Sequence, residues 1–338
     1  MDNHKRRCTL CGKEAFLIEE FYQGYMEGNF YKIYLCEHCN TSFSIANGDE
    51  VDIYDIIYQF AEKLPGYDRY YRYYNAIKSE KKPLEYLAKS EETYWIVKDS
   101  LSKIEKEKSE IKIIEIGSGL GYLTYALNKE GYNAQGIEIS CNAVKKATQQ
   151  FGYHYTCADI YDYFKKAPKQ YDVAILTEVI EHVENPIEFL RVVRSVLKDG
   201  GKMIITTPNK TIFSQNEVWR TDLPPVHLWW FSKKSMLYIG NLLDMKTAFT
   251  DFTNYYKKKT VFVTLKPHEK QPKPILNSEG LLMTSPPLKG IRLYIHSIKS
   301  ALEKIKICYT IVKKIKYGRY IYKCNKEGGF LGIIFEKN

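Results

Sequence analysis

No run of about 18 apolar residues occurs in the 338-residue sequence, so no segment suits a membrane-spanning helix. The opening Met1-Asp2-Asn3-His4-Lys5-Arg6-Arg7 leads into Cys8 and Thr9 and lacks the apolar stretch of a secretory leader, which makes the cytoplasm the expected compartment. Disorder is excluded from the other side, because 44% hydrophobic and 27% charged residues are an ordinary globular balance. The chain is longer than one average domain needs, so two domains or one with large additions are expected. Acidic residues run short in one place only. Residues 255–338 hold 18 Lys/Arg against 5 Asp/Glu, which leaves 32 against 35 in residues 1–254, so the net charge of +10 comes from the last quarter. Anion binding would belong to that tail, and the remaining composition does not ask for nucleic acid.

Four of the eight cysteines form two C-x-x-C pairs, Cys8/Cys11 and Cys36/Cys39, with 24 residues between them. Two residues between thiolates let one tight knuckle present both sulfurs to one tetrahedral ion, and Gly12 suits the turn that follows. Short strands are expected at 16–20 and 30–35, joined through Gly24 and Gly28-Asn29. Residues 1–49 thus look like a zinc ribbon with a closed, structural Zn²⁺ site; disulfides are the alternative, disfavoured in the cytoplasm. The scattered Cys141, Cys157, Cys308 and Cys324 are expected to be buried free thiols.

From residue 111 strand and helix alternate, with strands expected at 111–116, 133–139, 153–156, 171–176 and 202–206 and helices at 122–130, 142–151 and 186–197. Two further strands are expected at 248–255 and 329–336. This pattern gives an α/β, Rossmann-like, doubly wound and mostly parallel seven-stranded sheet. A dinucleotide fingerprint is missing: it would need a glycine at 122, where Tyr122 stands, and the third glycine is instead Gly121.

Glu115-x-Gly117-x-Gly119-x-Gly121, with Glu138 and Asp159 closing the next two strands, resembles class I methyltransferases that use S-adenosylmethionine. The resemblance covers roughly residues 110–254 plus the C-terminus. It implies that Gly117, Gly119 and Gly121 let the backbone approach the cofactor and that Glu138 accepts hydrogen bonds from its ribose. Asp159 and the Ile160 backbone would read adenine, Glu115 would orient the glycine turn and the cofactor's amino group, and Thr177 would border the same pocket.

Ligands in such sheets sit at the carboxyl ends of the strands. The Asn/Asp-Pro-Pro-Tyr sequence of amino-methyltransferases is absent after strand four, so oxygen or carbon is the expected acceptor. Thr177-Glu178-Val179-Ile180-Glu181-His182 stands there instead, and Glu178, Glu181 and His182 at i, i+3 and i+4 would share one side of a helical turn. E-x-x-E-H also resembles ubiquinone-biosynthesis O-methyltransferases and small-RNA 2′-O-methyltransferases, which implies a divalent cation such as Mg²⁺ on Glu178, Glu181, His182 and His227. A metal-free pocket with His182 or His227 as general base, beside Glu181, and a purely structural role are the other readings. Trp229, Trp230 and Phe231 read as packing, and residues 223–232 as a loop over the pocket leading to a helix at 233–243.

Residues 50–109 read as a helical linker or lid, with helices at 51–64, 67–79, 83–89 and 91–108, from which Arg69, Arg72 and nearby tyrosines could reach cofactor or substrate. The core spans 110–255, and 325–338 returns as its last strand. Between them, 256–324 is a basic insertion: a proline-rich loop, then a helix over 290–316 with an apolar stripe at 4-3 spacing. That helix is expected to pack on its own domain or on a second subunit as a homodimer, to rest on an anionic membrane, or to contact an acidic polymer or nucleotide-linked substrate. The whole reads as a methyltransferase acting on a hydroxyl or carbon of a small metabolite, with a sugar or glycan precursor as the first choice, since similar sugar C-methyltransferases carry such ribbons. An RNA methyltransferase and a non-catalytic cofactor-binding protein are the alternatives.

Overall fold

The computed structural model describes residues 5–47, 62–63, 67–165, 170–213, 223–257, 259, 261–264, 271–283 and 321–338. The helix expected at 51–64, the helix at 290–316 and Cys308 lie outside these residues, apart from 62–63. Among the described residues no helix is long and apolar enough to cross a membrane.

Strands β1 (Lys5–Arg7), β2 (Glu14–Gln23), β3 (Phe30–Cys36) and β4 (Thr41–Ala46) form an antiparallel sheet in sequence order. The first knuckle is closed by the Gly12 amide on the Cys8 carbonyl and the Cys8 amide on Lys13, with Gly12 at φ +71°. Helices α1 (Asp68–Ala76), α2 (Pro83–Ser90) and α3 (Glu92–Leu101) follow. Their apolar faces, through Tyr73, Leu84, Leu87, Tyr94, Ile96 and Val97, share a core with Leu123 and Ala126.

The core then runs β5 (Lys112–Ile116), α4 (Tyr122–Lys129), β6 (Asn133–Glu138), α5 (Cys141–Phe151), β7 (Tyr155–Cys157), α6 (Ile160–Phe164), β8 (Tyr171–Thr177), α7 (Pro186–Val196), β9 (Leu197–Pro208), β10 (Trp229–Trp230), α8 (Lys233–Leu242), β11 (Met245–Phe249), α9 (Thr253–Tyr256), β12 (Phe262–Thr264), β13 (Ile321–Lys323) and β14 (Phe330–Lys337). Seven strands form the large sheet in the order β11-β14-β9-β8-β5-β6-β7, parallel except around β14. Ile113, Ile114, Glu115 and Ile116 are all buried, without the alternation of a half-exposed strand, because helices cover both faces. The strand expected at 248–255 instead ends at Phe249. Asp251 Oδ1 accepts the Thr253 amide at 2.8 Å and starts a helical turn that buries Phe252, Tyr255 and Tyr256 beside Trp95.

Two arrangements depart from the sequence reading. Cys141 and Cys157 are joined in a disulfide with Cα atoms 5.1 Å apart, and Cys141 is exposed, so the expectation of buried free thiols fails for this pair. The cause is register: parallel pairing sets Glu138 opposite Cys157, so the first residue of α5 comes over the end of β7. Cys324 is buried and in no disulfide, as expected.

The ribbon, in turn, is continuous with the core. Trp229 and Trp230 pair with Phe43 and Ser42, so β10 is the fifth strand of the ribbon sheet. Both tryptophans and Phe231 are buried as packing residues, each worth on the order of 2–3 kcal/mol of burial. Part of the insertion joins them. The Leu276 carbonyl accepts the Glu27 amide, and the Tyr25 carbonyl accepts those of Ile275 and Leu276, which docks residues 271–283 on the ribbon hairpin.

Candidate cofactor and acceptor site

The turn after β5 supplies the first wall of the site. Gly117, Gly119 and Gly121 all have positive φ (+72°, +51° and +80°). Their surroundings differ. A Cβ on Gly121 would meet Tyr155 and Ala147 at 2.6 and 2.7 Å, so that glycine is required by packing. A Cβ on Gly119 would meet nothing within 4 Å, so its backbone faces a space that a ligand can enter closely. Glu138, buried at the end of β6, accepts the Gly119 amide on one oxygen and the Ser140 amide on the other, both at 2.9 Å. It thereby fixes the glycine turn.

Glu115 is buried beneath the turn and receives the Thr124 hydroxyl; burial pushes its carboxyl up to about 8. Asp159 caps α6 by accepting the Tyr161 amide at 2.7 Å, and Ile160 beside it is buried. Ile139, between Glu138 and Ser140 and just past the pairing of Glu138 with Cys157, is 71% exposed, leaving an apolar side chain open to a flat ligand. Thr177 is half-buried at the end of β8.

The candidate acceptor face lies where β8 and β9 end. Glu181, His182 and His227 come together, each offering a ligand atom within 4.8 Å of the others. Glu181 is fully buried, and the two imidazoles meet edge to face at 4.5 Å between centroids. His182 Nδ1 donates to the Val226 carbonyl, which leaves Nε2 as the basic nitrogen. Burial pulls His227 down to about 3, so its ring stays neutral at ordinary pH.

Glu178 is not in this cluster, contrary to the expectation that it would share a side with Glu181 and His182. It takes a left-handed φ of +56°, and residues 180–182 form a 3-10 turn rather than an α-helical one. Its carboxylate is held by Arg69 at 2.9 Å and by the Tyr70 and Thr93 hydroxyls at 3.2 Å. Arg69 also pairs with Glu91 at 3.2 Å, so its guanidinium latches α1 to the end of β8. No spacing in the sequence signals this pair. With Glu178 gone, one carboxylate and two imidazoles remain, a donor set for a borderline first-row ion and not the oxygen-rich shell that Mg²⁺ prefers.

In the ribbon, the sulfurs of Cys8 and Cys39 are 3.8 Å apart and those of Cys11 and Cys36 3.4 Å, and none of the four is in a disulfide. Four sulfurs about 2.3 Å from a tetrahedral ion would stand ~3.8 Å apart, so the donor set fits Zn²⁺.

Residues 90–240 match the family described as Methyltransferase domain. The mitochondrial ubiquinone biosynthesis O-methyltransferase of Rattus norvegicus is 31% identical over 117 residues, which are 32% of this chain and 34% of that protein. The ubiquinone biosynthesis O-methyltransferase of Coxiella burnetii (strain Dugway 5J108-111) is 29% identical over 103 residues, 29% of this chain and 44% of that one. The matched part is thus less than half the length of these curated relatives. Among solved structures, a SAM dependent methyltransferase from Archaeoglobus fulgidus aligns over 72% of this chain and 94% of its own with 19% identity and a TM-score of 0.41, too loose a likeness to speak to function.

Proposed function

We propose that residues 90–240, which match the Methyltransferase domain family, form an S-adenosylmethionine-dependent core of class I type, and that the whole chain transfers a methyl group to an oxygen or carbon of a small metabolite, with a sugar or glycan precursor as first choice. The observation that carries this is the pairing of two half-sites. A ligand-ready glycine turn anchored by Glu138 sits at the ends of β5 and β6, and His182, with its tautomer set by Val226, sits in the turn that follows the neighbouring β8. S-adenosylmethionine, when bound, supplies an electrophilic methyl on a sulfonium. The chain must then position the acceptor in line and remove one proton, the second task falling to His182 Nε2. His227 packs edge to face on that ring; a first-row ion held by Glu181, His182 and His227 would occupy Nε2 in place of the proton and would lower the acceptor hydroxyl's pKa instead. A structural Zn²⁺ on Cys8, Cys11, Cys36 and Cys39 and a cytoplasmic setting belong to the same reading.

The test uses S-adenosylhomocysteine, which reports on the cofactor half without turnover. Calorimetric titration should show tight binding to the unaltered chain and about 10- to 150-fold weaker binding to Glu138→Ala, the loss of a charge-assisted hydrogen-bond set of about 1.5–3 kcal/mol. Unchanged affinity would refute the pocket. Transfer of a labelled methyl to nucleotide-linked sugars, with none to RNA at low salt, supports the substrate class; the reverse pattern overturns it.

Glu115 adds a pH signature. Its carboxyl is largely protonated below about 8 in the free protein, and a cofactor ammonium near it would favour the carboxylate. Binding should then release a proton below that pH, and affinity should rise with pH until it levels near 8. Titrations in two buffers of different ionisation heat measure the release. Glu115→Gln should abolish it, and a release that persists in that variant would place the proton elsewhere.

A further inference from the structure

We propose that Cys141 and Cys157 form a thiol–disulfide exchange site that tunes cofactor affinity, its co-reactant being a low-molecular-weight disulfide such as oxidised glutathione. The inference rests on the cofactor reading above and concerns two residues that reading does not use. Their place in the fold carries it. Cys141 follows Glu138-Ile139-Ser140, the wall that carries the ribose-binding carboxylate, and Cys157 precedes Ala158-Asp159-Ile160, the wall opposite. The two walls are the ends of adjacent parallel strands, paired at Glu138 and Cys157. The disulfide ties them together beside the exposed Ile139, whose carbonyl lies 3.7 Å from Cys157 Sγ.

Cys141 is exposed and Cys157 half-buried, so a small thiol or disulfide can reach the pair. In the forward reaction one cysteine thiolate attacks a sulfur of the small disulfide and expels one thiol. The second cysteine attacks the protein sulfur of that mixed disulfide and expels the other. Two protein thiols are oxidised, one small disulfide is reduced, and the two protons end on the released thiols.

The direction of the effect follows from ordering. In the disulfide form the separation of the walls is already fixed, so binding has less freedom left to remove. In the dithiol form the two ends must be brought to that separation by the ligand. The oxidised protein therefore binds the adenosine part more tightly, by a factor on the order of 5–10. Linkage then requires that bound ligand make the disulfide harder to reduce by the same factor.

The experiment uses the full, metal-loaded chain and S-adenosylhomocysteine, titrated in buffers poised with oxidised or reduced glutathione, with the thiol state read by mass spectrometry. Reduction should weaken binding about 5–10-fold, and Cys157→Ser should show the weaker value in both buffers. Equal affinity in the two states overturns the proposal, as does a redox response that survives in Cys157→Ser, which would assign it to the ribbon cysteines. A second reading is the glutathione redox titration itself, whose midpoint should shift by the same factor when the ligand is saturating. Absence of binding in both states would instead sink the cofactor reading, and this inference with it.

Discussion

Cys39→Ser is expected to empty the ribbon of zinc and to lower methyl transfer by at least roughly a hundredfold, while S-adenosylhomocysteine affinity stays within about threefold. The asymmetry follows from what the second knuckle touches. Ser235 Oγ, in the first turn of α8, lies 3.2 Å from the Cys39 and Asn40 carbonyls and accepts the Thr41 hydroxyl at 2.7 Å. Beyond Thr41, β4 pairs with β10, the Ser44 amide donates to the Leu228 carbonyl at 2.9 Å, and the Leu228 amide donates to the Glu181 carbonyl at 2.9 Å. A closed four-thiolate site contributes on the order of 10 kcal/mol to folding the segment around it, far more than so small a sheet obtains from its own core. Without it, β4 loses its frame, and the strand that follows His227 loses its partner. The glycine turn lies on β5 and β6, on the other side of β8 in the large sheet, and shares none of these bonds. Hydrogen exchange should therefore accelerate at 180–183 and 223–232 in the zinc-free protein and stay slow at 113–138. Unchanged protection at the first two segments would show that the ribbon does not support the acceptor face.

His182→Gln is expected to slow turnover by roughly 10²–10⁴-fold with cofactor affinity intact. Glutamine can keep the bond to the Val226 carbonyl through its amide but cannot take a proton. His227 cannot replace it, because burial holds that ring near 3 and leaves little affinity for an acceptor's proton. Turnover separates the two, because His227→Gln should keep most of the rate that His182→Gln loses. A His182→Gln variant within tenfold of the unaltered rate would take the base from His182. Metal analysis of the same samples decides the role of the three-residue cluster: an ion retained by the unaltered chain and lost in Glu181→Gln would make His182 a ligand first.

The parts of the molecule that follow from local pattern were legible in the sequence. Buried strand runs such as 113–116 and the E-x-G-x-G-x-G pattern place the sheet and its glycine turn, and two C-x-x-C pairs mark the ribbon. Each of these signals is complete within a few residues. What escaped depends on register or on one backbone angle. Glu178 sits three residues before Glu181 as a helical pair would, yet its left-handed φ sends it to Arg69. Cys141 and Cys157 meet only because β6 and β7 pair with Glu138 opposite Cys157. Trp229-Trp230 is too short a run to announce a strand, and its partner is a sheet far back in the chain.

That last pairing has a consequence for how the protein is made. Phe43 leaves the ribosome long before Trp229, and at 5–20 residues per second the interval is roughly ten to forty seconds. For that time β4, with Phe43 and Ile45 on it, is an open strand edge on a nascent chain, able to pair with another copy. Metal captured early by the two knuckles would fix the first four strands but could not close that edge. Slowing synthesis between residues 46 and 229 should therefore favour aggregation even when zinc is plentiful.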